Sequence, residues 1–217
     1  MYLSSHPLER YNFELKNFTN CEMAGLQDLV SECEAGKKTA RVCVAGLVTD
    51  YKQLLTKKGT PYSRTTLEDY SGSYELTLFG KDHESFFQYM QPHAALFLDG
   101  VIEEKFFLKP EERAQGKTSP YAFKLKKVTM LGNISDELLK GFSLNIETPM
   151  LTPAFREGLV KVVKKHKGNI PLEMFLFDPK TRYQIQFKSN KFQVQVSTDL
   201  IADLRRIGVD RYEVIRK

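Results

Sequence analysis

The sequence has no tryptophan, only three cysteines and only four histidines among its 217 residues. Cys21, Cys33 and Cys43 show no CxxC spacing, and the histidines form no HExxH pattern. Structural and catalytic zinc sites need closely spaced Cys or His ligands, so we predict that the chain has no metal site. An odd number of cysteines is typical of free thiols in a reducing compartment.

Motifs that carry catalysis are also missing. The sequence contains no GxxxxGK[ST] loop, no GxSxG elbow and no cluster of acidic residues suited to two-metal phosphoryl transfer. Glu68 and Asp69 are adjacent, but neighbouring residues of a strand face opposite sides, so they do not form an acid/base pair. Asp69, ahead of Tyr-Ser-Gly, is typical of a side chain that starts a turn. We therefore predict no catalytic residue and no cofactor.

Long hydrophobic runs are absent as well. No apolar run approaches the roughly 20 residues that a membrane helix needs. The stretch MYLSSHPLER at residues 1–10 lacks the charged-then-apolar pattern of a signal peptide. Together with the cysteines, these features predict a cytoplasmic protein that makes no contact with a membrane.

Aromatic residues and positive charge are what the chain does contain. Its 15 Phe and 10 Tyr residues are enough to fill a core, and the net charge is +5. The excess is concentrated in residues 152–217, which hold 14 basic and seven acidic side chains. Such an excess favours an acidic protein or a nucleic acid as partner.

The middle of the chain has the pattern of a β-domain. The strand-like runs are 41–55, 61–69, 73–80, 94–107 and 121–131, with a helical run over 81–91 after the third. Gly46 and Gly100 interrupt the two longest runs, and such glycines mark bulges or sharp bends. Three strands, a helix and two strands are the order of an OB-fold, a five-stranded Greek-key barrel. We assign this barrel to residues 41–131.

The remainder of the chain is predicted to hold one further domain. Residues 1–40 are expected to form a helical lead-in, and the irregular residues 132–151 to form a linker. Residues 152–217 begin with a helix capped by Thr152 and Pro153. Strands are then expected over 170–178, 182–188 and 191–197, followed by a helix and a last strand. This order predicts a small α+β domain with an antiparallel sheet, and the whole chain is mostly β with α+β.

Two loops of the predicted barrel carry the candidate binding residues. The loops between strands one and two and between strands four and five flank the ligand face of an OB-fold. Lys57 and Lys58 lie in the first loop, and Tyr62 and Arg64 follow on one face of the next strand. The second loop and the last strand contribute Lys109, Arg113, Lys117, Lys124 and Lys126. Cations for phosphates and flat rings for bases are what single-stranded nucleic acid needs. The alternative is that these side chains are solvated charges of a hairpin and of the solvent-exposed face of a strand.

The helix at the start of the C-terminal domain also carries a cluster of lysines. Lys161, Lys164 and Lys165 share its polar face. Two interpretations are open: a charged rim that binds a partner, or a solvated helix face.

Two stretches resemble a known family: YLSSHPLERY at 2–11 and VAGLVTDYKQLLTKKGTPYSRTTLEDYSGSYELTLFG at 44–80. They are similar to the C-terminal region of the bacterial replicative DNA polymerase III alpha subunit. The motifs YLSxHPL, AGLVT, TKKGxP and LEDxSG carry the resemblance, which covers most of residues 2–131 and is weaker over 152–217. Tyr62 and Arg64 stand where that family is expected to have small and apolar residues.

The resemblance implies a non-catalytic fragment of a DNA-directed DNA polymerase, whose active site and clamp-binding motif lie upstream. It implies an OB domain that binds the single-stranded DNA template, and a C-terminal domain that docks the tau subunit of the clamp loader. The rest of the alpha chain would be a further partner. Two alternatives stay open: a pure protein-interaction scaffold of the replisome, and an anticodon-binding OB domain of an aminoacyl-tRNA synthetase, which shares the ED-x-SG turn.

Overall fold

The computed structural model describes residues 6–106, 109–116 and 120–217. The chain divides into two compact units. The first contains Leu15–Leu131 and the residues up to Glu9, and the second contains Arg10–Glu14 and Gly132–Lys217. In the described ranges, no helix combines the length and the apolar composition needed to cross a membrane.

The first unit is built on one antiparallel sheet. Its strands are β1 (Ala40–Leu55), β2 (Pro61–Glu68), β3 (Ser73–Phe79), β4 (Ala95–Glu104) and β5 (Tyr121–Met130), in the order β3-β2-β1-β4-β5. The helices of this part of the chain are α1 (Asn12–Phe18), α2 (Leu26–Gly36), α3 (Gly80–Phe86) and α4 (Pro110–Ala114). Strand β1 pairs with both β2 and β4, and α3 separates the third strand from the fourth. This topology confirms the OB-fold.

The two predicted glycines lie where strands approach or bend. A Cβ on Gly46 would come 2.8 Å from Cε of Met23 and 3.0 Å from the carbonyl oxygen of Glu68. A Cβ on Gly100 would come 2.5 Å from the carbonyl oxygen of Lys124, next to the register shift between β4 and β5. Only glycine fits such close backbone approaches, so these positions let the long strands curve.

Residues 6–40, the described part of the expected lead-in, do not form a separate domain, which corrects the expected domain division. Met23, Leu26, Val30 and Cys33 are buried and belong to the same core cluster as the barrel strands. Helix α2 therefore packs against the barrel strands, because this contact removes its apolar stripe from water. The neighbouring segment Arg10–Glu14 groups with the second unit instead.

The second unit is a four-stranded sheet with helices. Its strands are β6 (Leu139–Glu147), β7 (Lys167–Phe177), β8 (Gln184–Val194) and β9 (Tyr212–Arg216), in the order β8-β7-β6-β9. Its helices are α5 (Ile134–Leu138), α6 (Pro153–Lys165) and α7 (Thr198–Arg206). As expected, the Thr152 hydroxyl caps α6 by accepting a hydrogen bond from the amide of Phe155 at 3.2 Å.

Three expectations for this unit need correction. The segment 132–151 is not only a linker, because it contains α5 and the central strand β6, whose Phe142, Leu144 and Ile146 alternate and are buried. The sheet is mixed rather than antiparallel: β6 and β7 are parallel because α6 crosses over between them. The strands expected over 182–188 and 191–197 are one strand, β8, interrupted by a register shift.

Candidate nucleic-acid interface

The first barrel loop is a tight turn that exposes two lysines. The amide of Thr56 donates to the carbonyl of Thr60, and the amide of Gly59 donates to the carbonyl of Thr56, both at 2.9 Å. Gly59 has a φ of 76°, a left-handed conformation that glycine adopts without strain. Lys57 and Lys58 lie at the tip, exposed and without an ion partner in the described part of the chain. Their charges are therefore available to a ligand.

An aromatic pair, half-buried Tyr62 and exposed Phe79, lies beside this loop. Tyr62 and Phe79 face each other across β2 and β3, with ring centroids 4.9 Å apart and an angle of 18° between the ring planes. The Phe79 side chain is 55% exposed, and Leu55, opposite Pro61, is 69% exposed. Flat rings that remain open to solvent can stack on nucleic-acid bases. The sequence analysis found Tyr62 but missed Phe79.

The predicted cation Arg64 is partly neutralised. Its Nε lies 3.8 Å from Oε1 of Glu75 on β3, and both side chains are exposed. On the same outer face, Nζ of Lys52 lies 2.8 Å from Oδ2 of Asp50, and this hydrogen bond raises the pKa of Lys52. Outer-face cations of β1 and β2 thus stand beside carboxylates, and exposed pairs of this kind contribute little to stability.

A cleft of about 480 Å³ separates β3 from the ends of β4 and β5. Within the described residues no hydrogen-bonded ladder joins β3 to β5, so the barrel is open along this seam. The charged side chains that line the cleft are Glu75, Asp82, Glu103, Glu104, Lys105 and Lys124. Four acidic and two basic groups make this lining net negative, which disfavours a polyanion inside the cleft.

Lys124 and Lys126, the cations predicted in the last strand, lie beside the carboxylate of Glu103. Nζ of Lys126 is 3.2 Å and Nζ of Lys124 is 3.7 Å from the same oxygen of Glu103. They therefore do not extend a continuous basic groove, because Glu103 offsets part of their charge.

The second barrel loop is described only in part. Lys109 is exposed, and its amide donates to Oε2 of Glu112 at 3.1 Å. Arg113 lies in α4, but its side chain is outside the described residues, as is the whole of Lys117. Phe79, which pairs with Tyr62, also lines the cleft, as does Lys105.

Asp69 and His83 of the barrel have structural partners. Oδ1 of Asp69 accepts from the amides of Ser71 at 2.8 Å and Gly72 at 3.1 Å, as expected for a turn-starting side chain. Buried His83 contacts the Ser63 hydroxyl through Nδ1 at 3.1 Å and so joins α3 to β2. Over the described ranges, no three His, Cys, Asp or Glu side chains group as metal ligands do.

In the second unit, the predicted partner lysines separate into two environments. Lys161 and Lys164 line a shallow depression of about 470 Å³ on α6 together with Val160, which is 40% exposed. Lys165 differs, because its Nζ lies 2.6 Å from Oδ2 of Asp203 on α7.

Asp203 also contacts the side chains of His166 and Arg206. Nε2 of His166 lies 2.8 Å from Oδ2, and a guanidinium nitrogen of Arg206 lies 2.6 Å from Oδ1. Hydrogen bonds from Lys165 and His166 lower the pKa of Asp203 to about 2. Lys165 thus joins the C-terminal end of α6 to α7, whereas Lys161 and Lys164 remain on the open surface.

Comparison with known proteins identifies the relatives of this chain. A family model described as the C-terminal domain of the DNA polymerase III alpha subunit matches residues 142–208. The DNA polymerase III subunit alpha of Vibrio cholerae is 23% identical over 216 residues, which are 99% of this chain and 17% of the relative. That of Haemophilus influenzae is 27% identical over 183 residues, 84% of this chain and 14% of the relative. The chain is thus related to the C-terminal region of the DNA polymerase III alpha subunit.

The resemblance found in the sequence is thereby confirmed, and this chain spans less than a fifth of the length of both alpha subunits. Among solved structures, a mitochondrial single-stranded DNA-binding protein of S. cerevisiae has a TM-score of 0.29 at 10% identity, covering 43% of this chain and 97% of that chain. Asparaginyl-tRNA synthetase of Entamoeba histolytica has a TM-score of 0.28 at 13% identity, covering 44% and 23%. At these scores, neither likeness carries an argument about ligands.

Proposed function

We propose that this chain is a non-catalytic part of a DNA polymerase III alpha subunit, and that its barrel binds single-stranded DNA. The observation that carries the proposal is the stack of half-buried Tyr62 and exposed Phe79 beside the two lysines of the first loop. The stack offers flat surfaces to bases, and Lys57 and Lys58 offer charge to phosphates. The DNA lies across the outer face of β2 and β3 rather than in the cleft, whose lining is acidic.

The second unit docks a protein of the replisome. Its α6 surface combines a hydrophobic side chain, Val160, with the cations Arg156, Lys161 and Lys164 around a shallow depression. A mixed surface of this kind suits an acidic protein partner, since complementary charge steers association. The tau subunit of the clamp loader is the partner that the family resemblance implies, and the rest of the alpha chain is the other.

The DNA proposal is tested by replacing Lys57 and Lys58 together with glutamine. Each phosphate contact on a single strand contributes roughly 0.7 to the slope of log K against log salt, so the double variant should lower that slope by about 1.4. Oligothymidine titrations at several salt concentrations measure it. The matched control replaces Lys37 and Lys38, another exposed lysine pair of the first unit, and should leave the slope unchanged. Unchanged binding by the Lys57/Lys58 variant would reject the loop as a DNA contact.

A protein-interaction scaffold is the second candidate, and the ion pairs of the barrel favour it. Arg64 with Glu75, and Lys124 and Lys126 with Glu103, are already partly neutralised within the protein. Titration at low salt separates the two functions. If oligothymidine does not bind at concentrations up to roughly 100 μM, the scaffold is favoured, because nonspecific binding is commonly at least that tight.

A further inference from the structure

Strand β8 presents an open edge with exposed apolar side chains. It is the terminal strand of the second sheet, and no strand in the described ranges pairs with its outer side. All residues from Pro179 to Lys188 are exposed, although the last five belong to the strand. Tyr183 is 75% exposed, Ile185 56% and Phe187 43%. Monomeric proteins rarely leave such a row of large apolar side chains in water without a binding role.

The exposed row continues the hydrophobic core of the unit. Ile185 pairs with Leu176, and Phe187 pairs with Met174, so these four side chains share one face of the hairpin. Leu176 and Met174 are in register with the buried residues Ile146 and Leu144 of β6. The apolar face of the sheet therefore extends from the core to the open edge.

Residues 184–188 of this edge also lack the features that usually keep an edge strand from pairing with another chain. Natural edge strands are interrupted by bulges, prolines or charges that point inward. The register shift of β8 comes only after Lys188, since Glu173 pairs with Lys188 and Pro171 pairs with Gln193. Residues 184–188 keep a regular ladder with β7 and contain no proline. Their outer side can therefore accept another strand.

The charged residues beside the β8 edge indicate which kind of strand can bind there. Lys180 and Arg182 precede the run and Lys188 ends it, while the nearby Glu173 already pairs with Lys188 at 3.1 Å. A second copy of this chain that paired antiparallel about Ile185 would place Arg182 opposite Lys188, and like charges in cross-strand pairs are destabilising. Tyr183 and Phe187 also offer rings to bases, but the open main-chain ladder of β8 pairs with another peptide strand, which a nucleic acid does not supply. The complement is an acidic protein segment.

We propose that β8 is a docking edge for an extended segment of a partner protein in which apolar residues alternate with acidic ones. The segment adds a fifth strand to the sheet, its main chain pairs with β8, and its apolar side chains cover Ile185 and Phe187. This edge is distinct from the α6 depression and from the barrel, so its failure would leave the proposed DNA binding untouched.

The probe is an acetylated peptide of alternating glutamate and valine, about eight residues long, the length of an ordinary strand. Added to the isotope-labelled full chain, it should shift the NMR amide signals of residues 183–188 and slow their hydrogen exchange. A peptide with a central proline, which cannot donate in the ladder, and a lysine–valine peptide should both bind at least about tenfold more weakly. These peptide controls leave the protein unchanged, so no folding defect can imitate the result.

Two protein variants complete the test. Ile185→Lys places a charge on the docking edge and should weaken the glutamate–valine peptide at least about tenfold. Leu151→Lys makes the same change at an exposed apolar site outside β8 and outside the α6 depression, and should have no effect. Equal binding of the two charged peptides, signal changes that map to α6, or displacement of the peptide by oligothymidine would overturn the proposal. Concentration-dependent dimerisation that Ile185→Lys abolishes would do so too, because it would identify a second copy as the occupant.

Discussion

Replacing Glu14 with glutamine should remove a pH dependence from the stability of the second unit. Glu14 is only 3% exposed, and its carboxylate accepts a 3.4 Å hydrogen bond from the Thr198 hydroxyl at the start of α7. Burial raises the pKa of Glu14 from 4.5 to about 7, and the nearby Asp199 adds to the shift. A buried carboxyl group resists ionisation because the charged form loses hydration.

The size of the effect follows from the two pKa values. Because the pKa of folded Glu14 exceeds that of the unfolded chain, its stabilising contribution is complete below pH 4.5 and is lost as the pH rises through about 7. The difference between the two values, at about 1.4 kcal/mol per pH unit, gives an upper bound of about 3 kcal/mol. Glutamine stays neutral and keeps an oxygen for the Thr198 hydroxyl. Glu14→Gln should therefore match the parent near pH 4.5 and exceed its stability above pH 7.

Urea unfolding at several pH values measures this difference. The chain has no tryptophan, so methyl NMR signals of buried Leu204 and Val163 are the better probes, and they report on the second unit alone. Glu157→Gln, at an exposed position on α6, is the matched control and should follow the parent at every pH. Parallel pH profiles of Glu14→Gln and the parent, or a glutamine variant that is less stable at high pH, would refute the reasoning.

Three further outcomes are expected. Phe79→Leu should weaken oligothymidine binding about 5- to 150-fold, the loss of one base stack of about 1–3 kcal/mol, and leave the salt slope unchanged. Glu75→Gln should free Arg64 and strengthen that binding at low salt, whereas a scaffold without DNA contacts would show no change. Asp203→Asn leaves Lys165, His166 and Arg206 without their carboxylate and should destabilise the second unit by about 1–3 kcal/mol in urea unfolding. A stability change within error for Asp203→Asn would show that the cluster is only a surface feature.

The order of the barrel elements could be predicted from local patterns, whereas the second sheet could not. Two long β-branched runs with Gly46 and Gly100 near their middle are visible in the sequence, and both glycines lie at close backbone approaches. Strand β6 has nine residues, but its alternation of Phe142, Leu144 and Ile146 lies between segments without a clear strand pattern. Once β6 is missed, the parallel pairing with β7 is lost too, because it depends on the crossover of α6.

The parts of the candidate site that depend on local geometry could be predicted from the sequence. The turn at Asp69–Gly72 sets the register of β2 and β3, so Phe79 opposite Tyr62 could have been found by counting back from that turn. The contacts of Lys124 and Lys126 with Glu103 could not have been predicted, because they depend on the register shift between β4 and β5 next to Gly100. The same holds for Lys165, whose partner Asp203 is 38 residues away in the sequence.

The charges of the barrel decide where a polyanion can lie on it. A strand entering the cleft would bring its phosphates to Glu75, Glu103 and Glu104, and this repulsion is strongest where low-dielectric walls exclude water. A strand crossing the outer face passes the open ring of Phe79 and reaches Lys57 and Lys58, which have no carboxylate beside them in the described chain. Phe79 and Glu75 border both surfaces, but the other charged groups are separate: Lys57 and Lys58 of the first loop suit DNA, and Asp82, Glu103 and Glu104 along the seam suit a basic protein segment.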